Sequence, residues 1–177
     1  MNITVFCSAY SLDATYSAPA AEFARLLGEG GHTLVWGGSH AGLMGLLADG
    51  VKEAGGRLVG ISVELLRHKS YEGADELVMA PDLAARKAEL LARGDALVVL
   101  VGGLGTLDEV TEVLELKKHA LHDKPVVFLD TEGFYTGLRM QLERMDAEGF
   151  LPRPLSELVG FAQTPAEALA HLTAHQS

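Results

Sequence analysis

The stretch Ala96-Leu97-Val98-Val99-Leu100-Val101-Gly102-Gly103-Leu104-Gly105-Thr106-Leu107-Asp108-Glu109 decides how this chain is read. Its first six residues, Ala96–Val101, are aliphatic without interruption. A strand with one wet face would alternate apolar and polar residues; an unbroken aliphatic run fits a central parallel strand covered on both faces. Gly102, Gly103 and Gly105 follow, and from about Leu107 the residues Val110, Val113 and Leu114 return at helical spacing. Strand, glycine-rich turn and helix in that order predict a helix N-terminus at the carboxyl edge of a parallel sheet. Its free N–H groups and positive dipole end favour an anion there, and the Thr106 hydroxyl adds a donor. No Gly-Lys-Ser/Thr follows, so this is not a Walker A loop, and a dinucleotide fingerprint would sit after the first strand. A mononucleotide phosphate fits better. Thr106-x-x-Glu109 also matches a capping box, in which both side chains serve their own helix. The three glycines favour a ligand over capping alone.

The same alternation extends in both directions. Ile3–Phe6, Thr33–Trp36, Arg57–Ile61, Glu76–Ala80, Pro125–Leu129 and Leu158–Phe161 read as further strands. Between them lie amphipathic helices, one with Ala20, Phe23, Ala24 and Leu27 on a single face, one starting near Gly42 and one with Pro81 in its first turn. Phe134, Leu138, Leu142 and Met145 stripe another helix, a last one runs from Pro165, and residues 62–73 read as an irregular loop. Repeated β-α units imply right-handed crossovers and helices on both faces of the sheet. The expected fold is α/β: a Rossmann-like three-layer sandwich with a parallel sheet of about seven strands, forming one nucleotide-binding domain over residues 1–177. Ligands of such sheets bind beyond the strand carboxyl ends, where strand order reverses.

Other loops offer weaker signals. Gly37-Gly38-Ser39-His40-Ala41-Gly42-Leu43-Met44-Gly45 also joins a strand to a helix. It reads both as the roof of a nucleotide cleft and as glycines that let a helix pack closely, with His40 a solvent-exposed loop residue. Arg86 and Lys87 are adjacent, so on a helix they point about 100° apart and only one can face a cleft. Arginine suits that place, because its planar, permanently charged fork matches phosphate and ribose oxygens. His119 and His122 lack a third ligand for zinc, and Trp36 reads as structural. Cys7 reads as a small core residue, and Tyr10, just past the first strand, as a weak candidate for stacking on a base.

Composition narrows the function classes. Fourteen Lys and Arg against 24 Asp and Glu give a net charge of −10, which argues against a nucleic-acid binder. The single cysteine excludes an internal disulfide or a cysteine metal cluster. No apolar stretch approaches the roughly 20 residues that span a bilayer, and the first residues have no basic leader. The cytoplasm is the expected compartment, with no membrane or nucleic-acid partner.

Taken in order, Val5-Phe6-Cys7-Ser8, Gly37-Gly38…Gly42-Leu43-Met44-Gly45, Arg86-Lys87-Ala88-Glu89 and Gly102-Gly103-Leu104-Gly105-Thr106-Leu107-Asp108-Glu109 resemble the LONELY GUY family of phosphoribohydrolases. His122-Asp123-Lys124-Pro125-Val126 and Glu148-Gly149-Phe150 extend the likeness over roughly residues 3–151. The resemblance implies hydrolysis of the N-glycosidic bond of a nucleoside 5′-monophosphate, AMP or a cytokinin riboside 5′-monophosphate, to free base and ribose 5-phosphate. It implies Arg86 and Glu109 as the catalytic pair. Gly38, Met44, Lys87, Gly102, Gly103, Gly105 and Thr106 would be the substrate-binding residues. It implies no metal and no cofactor, and a homodimer whose sites lie near the subunit contact. The chain departs from the family pattern at Ser8-Ala9-Tyr10, at Leu83-Ala84-Ala85 and at Val101. Those departures motivate the alternative of a non-catalytic nucleotide- or pterin-binding protein, such as a molybdenum-cofactor carrier.

Overall fold

In the computed structural model, which describes residues 1–174, the elements run in simple alternation. They are β1 (Asn2–Phe6), α1 (Ala14–Glu29), β2 (Thr33–Trp36), α2 (Gly42–Glu53), β3 (Arg57–Val63), β4 (Glu76–Ala80), α3 (Leu83–Arg93) and β5 (Ala96–Val99). Then come α4 (Leu104–Lys118), β6 (Val126–Leu129), α5 (Thr136–Ala147), α6 (Leu155–Leu158), β7 (Gly160–Ala162) and α7 (Pro165–Ala174). Short 3-10 turns cover Glu64–Lys69 and Thr131–Gly133. The strands form one seven-stranded sheet in the order β4-β3-β2-β1-β5-β6-β7, and every pairing is parallel.

Two cores follow from the period-2 alternation of the strands. Ile3, Val5 and Cys7 point into the core shared with α1, α2 and α7, where Phe23, Leu27, Leu47 and Leu172 are buried. Phe6, Leu97 and Val99 point the other way, onto Leu90 of α3 and Val110 and Val113 of α4. Central strands therefore need apolar residues at consecutive positions, which is why Ala96–Val99 reads as a solid run. Thr4 is fully buried on the α3 side and is accommodated because its hydroxyl donates to Leu90 O at 2.8 Å.

Several boundaries differ from the sequence expectation for local reasons. β3 continues two residues to Val63, paired with Ala80, and the expected loop then opens as a 3-10 turn. β5 pairing stops at Val99, and the bonds from Leu100 N–H to Phe6 O and from Ser8 N–H to Val101 O are the last that join it to β1 before the glycine loop. Pro81 lies outside α3, whose N-cap is Asp82, with the carboxylate accepting from Ala85 N at 2.8 Å. Leu158 closes the helical turn α6, and β7 begins only at Gly160. Phe134 precedes α5, and no residue of that helix is fully buried, so its stripe makes only a partial face.

The strand order reverses between β1 and β5, its switch point. The chains leaving those two strands must part there, which opens a crevice at their carboxyl ends. Ser8 N–H donates to Val101 O at 3.0 Å and ties the two exits together at the crevice floor.

Candidate active site

A cleft of about 450 Å³ lies above this switch point. Its walls come from the β1 exit (Cys7–Tyr10), from Met44 of α2, Leu66 beyond β3 and Arg86 of α3, and from the start of α4 (Gly103–Thr106 and Glu109). Five strand-to-strand connections thus converge on one opening, as the topology requires.

Gly103 is the N-cap of α4, and no side chain caps that end. The contrast with α1 and α3 is direct, since Asp13 and Asp82 cap those helices. Directly after the extended Gly103, α4 begins at Leu104, three residues before Leu107, so Thr106 sits within the first turn rather than at the cap. The capping-box alternative falls with that shift, because Glu109 is also spent elsewhere. A Cβ on Gly102 would lie 2.1 Å from Thr106 Oγ1, whereas Gly103 and Gly105 face open space.

The Glu109 carboxylate accepts from Nη1 of Arg86 at 2.9 Å, and both side chains are about 10% exposed. Arg86 is held from a second side, its Nε donating to Ile61 O at 2.9 Å. Gly37 completes the seat, because a Cβ there would lie 2.3 Å from Nη2 of Arg86. Burial pushes the Glu109 carboxyl above its ordinary value, while the Arg86 charge and hydrogen bond pull it partly back. Cys7, on the cleft wall, is buried, and burial followed by the charge of Glu109 pushes its thiol well up. A thiol so held is a neutral wall and a poor nucleophile.

Of the residues expected from sequence, Met44, Arg86, Gly103, Gly105, Thr106 and Glu109 meet in this cleft. Lys87 does not line it; it turns along the helix surface to Asp108 at 3.0 Å and to Glu112. The angular offset of adjacent helical residues accounts for this. Gly38 also lies outside the lining, at φ +70°, where a Cβ would come up against Leu77 and the Gly60 backbone. Gly102 is not in the lining either; its missing Cβ leaves room for the Thr106 side chain. His119 pairs with Glu115, and His122 faces Val113 O.

One residue escaped the sequence reading. Tyr135, buried between β6 and α5, donates its hydroxyl to Leu100 O at 2.7 Å, with the Gly102 backbone beside the same oxygen. Its own N–H donates to the buried Asp130 carboxylate at 2.7 Å, and its ring packs edge-on against Phe128. Burial lifts the phenol's pKa, so it stays protonated and keeps donating. A residue 33 positions beyond Gly102 thus props the exit of β5. The Gly133-Phe134-Tyr135 run was the only local sign, and it reads as an ordinary aromatic helix start.

Residues 44–172 match the family model described as possible lysine decarboxylase. A cytokinin riboside 5′-monophosphate phosphoribohydrolase of Mycobacterium tuberculosis is 36% identical over 160 residues, spanning 89% of this chain and 86% of the relative. An Arabidopsis thaliana enzyme of the same name is 34% identical over 173 residues, 96% of this chain and 80% of that one. Among solved structures, the molybdenum cofactor carrier protein of Chlamydomonas reinhardtii superposes with a TM-score of 0.75 at 25% identity, covering 98% of this chain and 96% of the other. With the family model matching residues 44–172 and relatives at 34–36% identity over most of both chains, the chain belongs to the LONELY GUY family, the group whose model carries the lysine decarboxylase description.

Proposed function

We propose that this chain, as one domain over residues 1–177, hydrolyses the N-glycosidic bond of a nucleoside 5′-monophosphate, AMP or a cytokinin riboside 5′-monophosphate. The observation that carries the reading is the buried Arg86–Glu109 pair standing beside the uncapped N-terminus of α4. The N–H groups of Gly103–Thr106 take the phosphate, with Gly102 packed against Thr106, while Lys87 is tied to Asp108 and Glu112 and serves only to hold α3 against α4. Binding energy spent on the phosphate orients the sugar, which is how a remote group lowers the barrier.

In the reaction the bond between ribose C1′ and the base nitrogen breaks, and its electron pair leaves with the base. Water forms the new bond to C1′, and its proton ends on the departing base. Glu109 in its ionised form stabilises the positive charge that develops on the ribose and orients a ribose hydroxyl or the water. Arg86 fixes that carboxylate and aligns the ribose phosphate. No step needs a cofactor or metal, and nothing in the cleft singles out a Schiff-base lysine for decarboxylation.

Glu109→Gln tests this reading. Turnover of AMP falls at least about 100-fold, the scale for losing an electrostatic group aimed at transition-state charge. The melting temperature is read beside it, because glutamine keeps the side chain's shape but leaves the buried Arg86 without its counter-charge. A carboxyl whose folded pKa is raised contributes stability below its unfolded pKa and loses it as pH rises through the folded value. At neutral pH the ionised Glu109 therefore carries a burial cost that glutamine removes, set against the lost counter-charge of the buried Arg86, so turnover rather than stability decides the reading. A lower melting temperature with turnover intact would reverse the assignment.

A second reading is supported by the carrier of Chlamydomonas reinhardtii: the cleft holds a pterin-type ligand without turnover. A carrier has less need of a buried, bonded arginine and carboxylate. Calorimetry with tight binding and no released base would decide for it. We further propose a homodimer through α3 and α4. Its support is a cavity of about 300 Å³ between α3 and α4, with an apolar floor of Phe6, Leu91, Val113 and Leu116 and charged walls that include Lys87, Glu112 and Lys124. Low basic charge and a lone cysteine support a cytoplasmic setting with no nucleic-acid partner. Among the described residues no helix is long and apolar enough to cross a membrane.

A further inference from the structure

Tyr10 is 80% exposed, yet its backbone is among the most tightly held on the cleft rim. Its N–H donates to Ser8 Oγ at 3.0 Å, and its carbonyl accepts from Leu43 N at 3.2 Å. Gly42, at φ +53°, lies so close that a Cβ there would be 2.3 Å from the Tyr10 carbonyl carbon. Ser8 is itself tied to Val101 across the switch point. A rigid backbone therefore carries an aromatic ring that is not folded into the protein. The rings of Tyr16 and Tyr71 pack edge-on against Phe134 and Trp36, and Tyr10 has no such ring partner among the described residues.

The sheet order gives this ring its place. The sequence β3-β2-β1-β5 sets Leu66, Met44, Tyr10 and the Gly103–Thr106 loop in line along the cleft. With the phosphate at the β5 end and the sugar beside Arg86 and Glu109, the base falls towards β1–β3. The side chains there are Ala9, Tyr10, Met44 and Leu66, with no charge among them. The hydroxyls nearby are the phenol of Tyr10 itself and that of Ser8, whose oxygen accepts from Tyr10 N.

We propose that Tyr10 is the stacking platform for the substrate's base, so that this site selects planar aromatic bases by π-contact and apolar area rather than by hydrogen-bond readout. The proposal rests on the nucleotide reading above and names the residue that sets its base preference. The fixed backbone limits where the ring can swing, and a tyrosine has only two side-chain torsions to settle when a base stacks on it.

Calorimetry in a Glu109→Gln background, where AMP is not consumed, separates the two ideas. AMP and ribose 5-phosphate are each titrated into that protein and into versions also carrying Tyr10→Ala or Tyr10→Phe. Tyr10→Ala weakens AMP binding by about 5- to 100-fold, the range for removing one base–aromatic stack. Ribose 5-phosphate, which lacks a base, binds as before to within about twofold, and Tyr10→Phe recovers most of the AMP affinity. If Tyr10→Ala leaves AMP binding unchanged, or weakens both ligands equally, the stacking role is overturned and the nucleotide reading stands. If the Glu109→Gln protein binds neither ligand, the nucleotide reading itself fails and takes this proposal with it.

Discussion

In the loop after β2, a Cβ added to Gly45 would lie 2.1 Å from His40 O, and one added to Gly42 would run into the Tyr10 carbonyl. In the loop after β5, a Cβ on Gly103 or Gly105 would meet nothing within 4 Å. Both clusters join a parallel strand to a helix, and by composition they are near twins. The first uses glycine so that protein can approach protein; the second, apart from Gly102, uses it where no protein arrives. Glycine-rich loops at a switch point therefore divide into packed and vacant kinds, and vacancy beside unsatisfied helix N–H groups is what suits an anion.

Three substitutions can break or sharpen that contrast. Gly45→Ala forces two backbones apart and costs about 2–3 kcal/mol of stability, read from urea midpoints. A midpoint close to the wild type would show that the packed loop yields more easily than its distances imply. Gly105→Ala does the opposite: alanine is the better helix former by about 0.8–1 kcal/mol, so melting rises slightly. Ribose 5-phosphate affinity falls about tenfold in calorimetry, equivalent to about 1.4 kcal/mol. Unchanged affinity would mean the open space is not where the anion sits. Gly37→Ala, the smallest, pushes the Arg86 guanidinium off its seat at a stability cost of about 1 kcal/mol. Its informative readout is the acid limb of the pH–rate profile. Burial holds the Glu109 carboxyl above its usual value and Arg86 draws it down, so loosening Arg86 lets it rise further. Activity that needs the ionised carboxylate then begins to fall at a higher pH than in the wild type. An unmoved limb would show that the pair survives the added methyl.

Regular structure was legible where burial repeats with a period. Thr33–Trp36 and Glu76–Ala80 stand as read from the sequence, and Ala20, Phe23, Ala24 and Leu27 are all buried. Ends were less legible because partners elsewhere settle them, as Phe6 O does for Leu100 and Ala80 for Val63. The site was legible as a set of loops, because parallel topology sends them to one edge. The pairing of Arg86 with Glu109 depends on how α3 and α4 lie across the sheet, which no local pattern encodes. Lys87 and Gly38 share the motifs but not the cleft, since a motif marks a segment while geometry chooses the face. Tyr135 acts across long sequence separation, where spacing rules carry no signal.

That long-range prop bears on how portable the phosphate loop is. Leu100 and Gly102 owe their placement to a phenol delivered from beyond β6, itself anchored by Asp130. Residues 96–109 transplanted into another parallel sheet would bring the glycines and the helix start but leave behind the strut that sets their angle. An engineer borrowing this loop has to import the neighbouring strand and its tyrosine as well, and a chain cut before that tyrosine would retain the motif without its shape.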